Sequence, residues 1–240
     1  MKVLVSPETL DEARAAFDGG ADIIDVKNVE EGALGANYPW VIREIVQGIG
    51  PGAVFAASIG DLGHEPGNAA LAALGAVVSG ARYVKAGLYG VRSVAEGTAV
   101  MAAVRRACKE RAPETMVVAA GYADRERFGG IDPAAVVEVA QAAQCDVVML
   151  DTAVKDGRTL FDALDAAQLR TFVDAGHRAG LTVALAGSIR FEDIARVAAA
   201  GADIIGVRGG VCIANDRTTR IDAARVRRFT QRCRELAHAA

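Results

Sequence analysis

The stretch GADIIDVKN, Gly20–Asn28, decides the fold, because its apolar run ends in an acid and a lysine two residues apart. Side chains two residues apart on a strand share a face, so Asp25 and Lys27 lie on the same side. The phrase returns near the other end of the chain as GADIIGVR, Gly201–Arg208. Two weaker echoes lie between them, GARYVK at Gly80–Lys85 and QCDVVMLD at Gln144–Asp151.

The four echoes end in charged residues at matching places. Counted from the first residue of each echo, the eighth place holds Lys27, Asp151 and Arg208, and the sixth holds Asp25 and Lys85. The sixth and eighth places share a strand face. We therefore expect parallel strands to deliver these side chains to one site.

The rest of the chain repeats the same alternation of strand and helix. Apolar runs and turn residues predict eight strands, each followed by a helix, with no linker between them. This alternation over 240 residues predicts a single α/β domain, a (β/α)8 TIM barrel spanning residues 1–240. A doubly wound open sheet is the alternative, but the echo between the second and eighth strands favours a closed ring.

The composition excludes several classes of function. A net charge of −3 gives no basic surface for nucleic acid, and no apolar run is long enough to span a membrane. The four cysteines are scattered, and HExxH, P-loop and dinucleotide motifs are absent, so we expect no metal and no cofactor. The chain begins without a signal-peptide pattern, and we expect a cytoplasmic protein. The sequence leaves open whether it forms a homo-oligomer.

Lysine usage singles out a few positions. Only five of the 27 basic residues are lysines, and three of those five, Lys27, Lys85 and Lys155, lie at or just beyond predicted strand ends. Arginine stays protonated, whereas a lysine amine can lose its proton and attack a carbonyl. The retained lysines therefore predict amine chemistry at the barrel mouth, although chance placement is the alternative.

The candidate catalytic residues follow from these positions. Lys27 could form a Schiff base if burial and neighbouring cations lower its pKa, with Asp25 holding the amine or moving protons. Lys85 is expected to enter the same mouth, and Asp151 is a third inward polar group. Lys155 lies in the following loop, where a solvated side chain is the simpler alternative. For Lys27 and Asp25, the alternative is a structural ion pair.

The loops after the last two strands read AGSIR and VRGGVC. Glycines and exposed amides at these places form the usual phosphate site of a barrel, so we expect phosphate binding there. Ordinary tight turns are the alternative. The candidate phosphate-binding residues are Gly187, Ser188, Arg208, Gly209 and Gly210.

The whole chain resembles the (5-formylfuran-3-yl)methyl phosphate synthase family. The resemblance is carried by MKVLVSPETLDEARAAFDGGADIIDVKN at the start, ARYVKAGLYG around Lys85 and MLDTAVKDGRTLFD around Asp151 and Lys155. It implies a lyase that joins two molecules of glyceraldehyde 3-phosphate into 4-(hydroxymethyl)-2-furancarboxaldehyde phosphate, in the biosynthesis of a methanofuran-type cofactor. It also implies that Lys27 forms the Schiff base and that Lys85 acts on protons.

Two other functions fit the same residues. A class I aldolase acting on a phosphorylated sugar would share the lysine and the phosphate site but would not eliminate phosphate or close a ring. A non-catalytic barrel that binds a phosphorylated metabolite would share only the phosphate site.

Overall fold

Eight parallel strands close into a barrel in a computed structural model, which describes residues 1–238. The strands are β1 (Lys2–Val5), β2 (Ile23–Val26), β3 (Phe55–Asp61), β4 (Tyr83–Gly87), β5 (Met116–Tyr122), β6 (Val147–Asp151), β7 (Thr182–Leu185) and β8 (Ile204–Val207). Each strand pairs with the next, and β1 pairs with β8 through Lys2↔Ile204 to Val5↔Val207. The predicted (β/α)8 barrel is confirmed.

Helices connect the strands around the outside of the barrel. They are α1 (Leu10–Asp18), α2 (Pro39–Ile49), α3 (Pro66–Val78), α4 (Val94–Arg111), α5 (Pro133–Ala142), α6 (Leu160–Ala163), α7 (Ala166–Arg178), α8 (Ile194–Ala200) and α9 (Ala223–His238). None of the helices in this part of the chain is long and apolar enough to cross a membrane.

The short helix α6 was not among the eight predicted helices. Thr159 and Asp162 form a capping box, in which the Thr159 side chain accepts from the first turn and Asp162 accepts from the Thr159 amide. This local bonding turns part of the loop after β6 into one helical turn. Strand β2 ends at Val26 and β8 ends at Val207, so Lys27 and Arg208 directly follow their strands.

The strand pleat separates two apolar layers. In β6, Val148 and Leu150 pack outward against the helices, whereas Val147 and Met149 belong to the cluster inside the barrel. Asp151 continues the inward series by its spacing of two. Ile23 places Asp25 on the inward face in the same way, and the register Ser58↔Lys85 places Ser58 beside Lys85 on neighbouring strands. The inner face therefore changes from apolar to charged toward the carboxyl ends of the strands.

Candidate active site

A cavity of about 260 Å³ at the barrel mouth contains the predicted lysines. Among its lining residues are Lys27, Lys85, Asp151, Lys155, Gly187, Ser188, Arg208, Gly209 and Gly210. Asp25 does not line the cavity, but it contacts the Lys85 ammonium that does. A larger cavity of about 410 Å³ opens beside Asp124 and Phe172, and no lysine lines it. The smaller cavity is therefore the candidate active site.

Lys27 is a buried amine with few partners. Lys27 is the first residue after β2, and it is 6% exposed. Its Nζ donates a hydrogen bond to the Ala33 carbonyl at 3.2 Å. Burial lowers the pKa of Lys27 to about 7; the carboxylate of Asp151 opposes that shift, and the ammonium of Lys85 adds to it. A large part of this amine is therefore neutral near pH 7, as a nucleophile requires.

Lys85 and Asp25 form an ion pair beside it. The Lys85 Nζ lies 2.5 Å from Asp25 Oδ2, and the same oxygen accepts from Ser6 Oγ at 2.8 Å. The two charged side chains are almost completely buried. Asp25 Oδ1 and Ser58 Oγ are buried without a hydrogen-bond partner among the described residues. Buried polar atoms are nearly always paired, so these two oxygens are exceptions, although neither residue lines the cavity.

Asp151 and Lys155 form a second ion pair. The Lys155 Nζ donates to Asp151 Oδ1 at 2.6 Å and to Thr152 Oγ1 at 3.1 Å. Burial by itself would raise the pKa of Asp151, but the ammonium groups of Lys155 and Lys27 and hydrogen bonds from Lys155 and the Thr152 amide lower it overall. Asp151 is therefore a carboxylate that stabilises positive charge on either lysine, and Lys155 is not a freely solvated loop residue.

The turn after β7 and the turn after β8 pack closely against each other. Gly187 and Ser188 have positive φ angles of 114° and 51°, so the first turn is sharp. A Cβ on Gly210 would lie 2.6 Å from the Ile189 carbonyl oxygen, so only glycine fits there without a shift of the backbone. A Cβ on Gly209 would make ordinary contacts at 3.5 Å or more.

Arg208 lies at the cavity, but its guanidinium is already engaged. It contacts Glu8 at 2.6 Å and Glu12 at 2.8 Å, and these two carboxylates balance its charge. No sequence pattern indicates this pairing, since the glutamates lie about 200 positions earlier in the chain. Sequence reasoning also missed Ser6 and the two other arginines of the cavity, Arg190 and Arg217. A signal for Ser6 was available, because it directly follows β1.

His64 is exposed in the loop after β3 and does not line the cavity. No group of three or more His, Cys, Asp or Glu side chains in the described part of the chain is placed to hold a metal ion.

The fold and this cavity define a barrel enzyme with a buried, partly neutral lysine and two lysine–aspartate ion pairs. The model of the 4-HFC-P synthase family matches residues 3–230. The (5-formylfuran-3-yl)methyl phosphate synthase of Methanococcus maripaludis strain C5 is 51% identical over 98% of this chain and 100% of its own length. The proteins of the same name from Methanopyrus kandleri and Methanocaldococcus jannaschii are 53% and 48% identical, over 90% and 98% of this chain and 91% and 100% of their own lengths.

The chain therefore belongs to the (5-formylfuran-3-yl)methyl phosphate synthase family of enzymes. Among solved structures, 3-hexulose-6-phosphate synthase from Salmonella typhimurium aligns with a TM-score of 0.68 at 20% identity, over 98% of this chain and 100% of that one. At that identity the likeness concerns the barrel fold alone.

Proposed function

We propose that this protein joins two molecules of glyceraldehyde 3-phosphate into 4-(hydroxymethyl)-2-furancarboxaldehyde phosphate, through an imine on Lys27. The product is the (5-formylfuran-3-yl)methyl phosphate for which the relatives are named. The observation that carries the proposal is Lys27 itself, a buried amine with a pKa of about 7 inside the cavity. A lysine in that state can attack an aldehyde at neutral pH.

The overall reaction balances in atoms, and its steps show which chemical groups the site must supply. Two C3 units give one C6 furan when one C–C bond and one ring C–O bond form, one C–O bond to phosphate breaks, and two molecules of water leave. One phosphate is released and the other is retained in the product. Enolisation, elimination and ring closure each move a proton, so the reaction needs an amine nucleophile and separate proton-transfer groups.

The two ion pairs supply those proton-transfer groups. Lys85 gives and takes protons, and Asp25, 2.5 Å away, stabilises its charged form. Asp151 stabilises the cationic imine formed on Lys27, because the two groups interact electrostatically inside the cavity. Lys155, held 2.6 Å from Asp151, is a second proton donor at the mouth.

The turns after β7 and β8 bind phosphate through backbone amides in this proposal. No acceptor within the described residues is bonded to the amides of Gly187, Ser188, Gly209 and Gly210, which all line the cavity. Amides free to donate are what a phosphate dianion requires. The furan would then enter the biosynthesis of a methanofuran-type cofactor.

The test is incubation of the purified protein with glyceraldehyde 3-phosphate. We expect the ultraviolet absorbance of a furan aldehyde and one phosphate released for each furan formed. Borohydride added during turnover should leave a substrate-derived mass on the peptide that contains Lys27. A sugar phosphate formed without phosphate release would indicate an aldolase instead. The absence of both turnover and trapping would indicate a barrel that only binds phosphorylated metabolites.

A further inference from the structure

Two arginines reach the cavity from the segment that follows β8, and they differ in their bonding. Arg208 uses all five of its N–H donors: Nε bonds the Arg217 carbonyl, Nη1 bonds the Ser6 carbonyl and Glu12, and Nη2 bonds Glu8 and Glu12. A phosphate could gain a hydrogen bond from this guanidinium only if one of these bonds broke. Arg208 therefore ties β8 to the start of α1 and to the loop that carries Arg217.

The guanidinium of Arg217, in contrast to that of Arg208, has unused hydrogen-bond donors. Its side chain lines the same cavity and makes no hydrogen bond or ion pair with any described residue. Its Nη2 is buried and has no partner in this part of the chain. Burial lowers the pKa of Arg217, and the Asp151 carboxylate opposes that shift. A buried guanidinium nitrogen without an acceptor is costly, so the site is arranged for an acceptor that arrives from outside.

Arg217 lies next to the turn after β8, which contains Gly209. A Cβ built on Gly209 would lie 3.6 Å from the Arg217 Cβ, so the two backbones are neighbours at the cavity wall. The remaining arginine of the cavity, Arg190, is exposed and donates to the Gly157 carbonyl at 2.9 Å. Arg217 is thus a partly buried cation, without an acceptor among residues 1–238, beside amides that are themselves free to donate.

We propose that Arg217, and not Arg208, is the cation that binds the phosphate group of the substrate, together with the amides of the two glycine turns. This assignment rests on the proposed function, because it takes the ligand to be a triose phosphate. The guanidinium fork can donate two parallel bonds to phosphate oxygens. Arg208 is then a positioning residue that holds the Arg217 backbone through its carbonyl.

The experiment measures phosphate recognition apart from catalysis. Isothermal titration with sn-glycerol 3-phosphate and with inorganic phosphate is suitable, since neither probe has a carbonyl that could form an imine. The variants are Arg217→Gln and Arg217→Lys, and the matched control is Arg220→Ala, which changes an exposed arginine of the same loop. Removal of one charged hydrogen-bonding group should raise Kd about 10- to 100-fold in Arg217→Gln. Arg217→Lys should lie between that variant and the wild type.

The melting temperature separates binding from a structural role. The Arg217 side chain makes no hydrogen bond to any described residue, so Arg217→Gln should melt at the same or a higher temperature. A Kd within about twofold of wild type in Arg217→Gln, or no binding of either probe by the wild type, would overturn the assignment. Loss of probe binding in Arg217→Gln supports it even if the wild type makes no furan, an outcome that would reject the proposed function alone.

Discussion

The pH dependence of imine formation is the sharpest consequence of the buried amine. A lysine with the ordinary pKa of 10.5 has roughly one neutral amine in 3,000 at pH 7, whereas at a pKa of about 7 roughly half of the Lys27 amines are neutral. The structure therefore raises the population of the nucleophile by roughly a thousandfold. This gain comes from burial and from the Lys85 ammonium, against the opposing effect of Asp151.

The sign of the effect is set by the lowered pKa. Protonation below pH 7 removes the nucleophile, so the rate of imine formation should fall toward acid and level off above about pH 8. At pH 5 the neutral fraction is about fiftyfold smaller than at pH 7, for a pKa of about 7. The expected profile is a single rise with a midpoint near pH 7.

The assay is single-turnover trapping by cyanoborohydride, followed by intact mass. Unphosphorylated D-glyceraldehyde is the substrate of choice, because a phosphate group titrates near pH 6 and would add its own pH dependence. Lys27→Arg is the control. Its side chain stays protonated at every pH tested, so trapping should be lost while the fold is kept. A midpoint near pH 10, or undiminished trapping in Lys27→Arg, would refute the reasoning.

Three further predictions concern the neighbouring residues. Lys85→Ala should slow turnover about 10²–10⁴-fold and still allow trapping on Lys27, and trapping lost in Lys85→Ala but kept in Lys27→Ala would show that the roles of the two lysines are exchanged. Gly210→Ala should lower the melting temperature and raise KM, because its Cβ would lie 2.6 Å from a carbonyl oxygen, whereas Gly209→Ala should melt like the wild type. Equal melting of the two glycine variants would contradict the close packing of the turns. Arg208→Met should cost about 3 kcal/mol in urea unfolding, because it removes the cationic partner of two largely buried glutamates, and a loss below about 0.5 kcal/mol would show that they need no cation beside them.

The sequence by itself determined the barrel and the strands that carry the catalytic candidates. The echo of Gly20–Asn28 near residue 201 marked two strands of one ring, and β2 and β8 both pair with β1. A period of two along a strand is a local property, so it correctly placed Lys85 and Asp151 at the cavity. The glycine turns were also predictable from local sequence, since Gly187 and Gly209 lie two residues beyond the ends of β7 and β8.

Only the tertiary structure decided which charged side chains are free to act on a bound substrate. The sequence placed Arg208 among the phosphate ligands by its position at a strand end, but its five donors are used by groups brought from the other end of the chain. The pair of Lys85 with Asp25 spans 60 positions, and the low pKa of Lys27 depends on burial by many residues. Electrostatic energies depend on distance in space and on exclusion of water, and chain spacing encodes neither of these across separate strands.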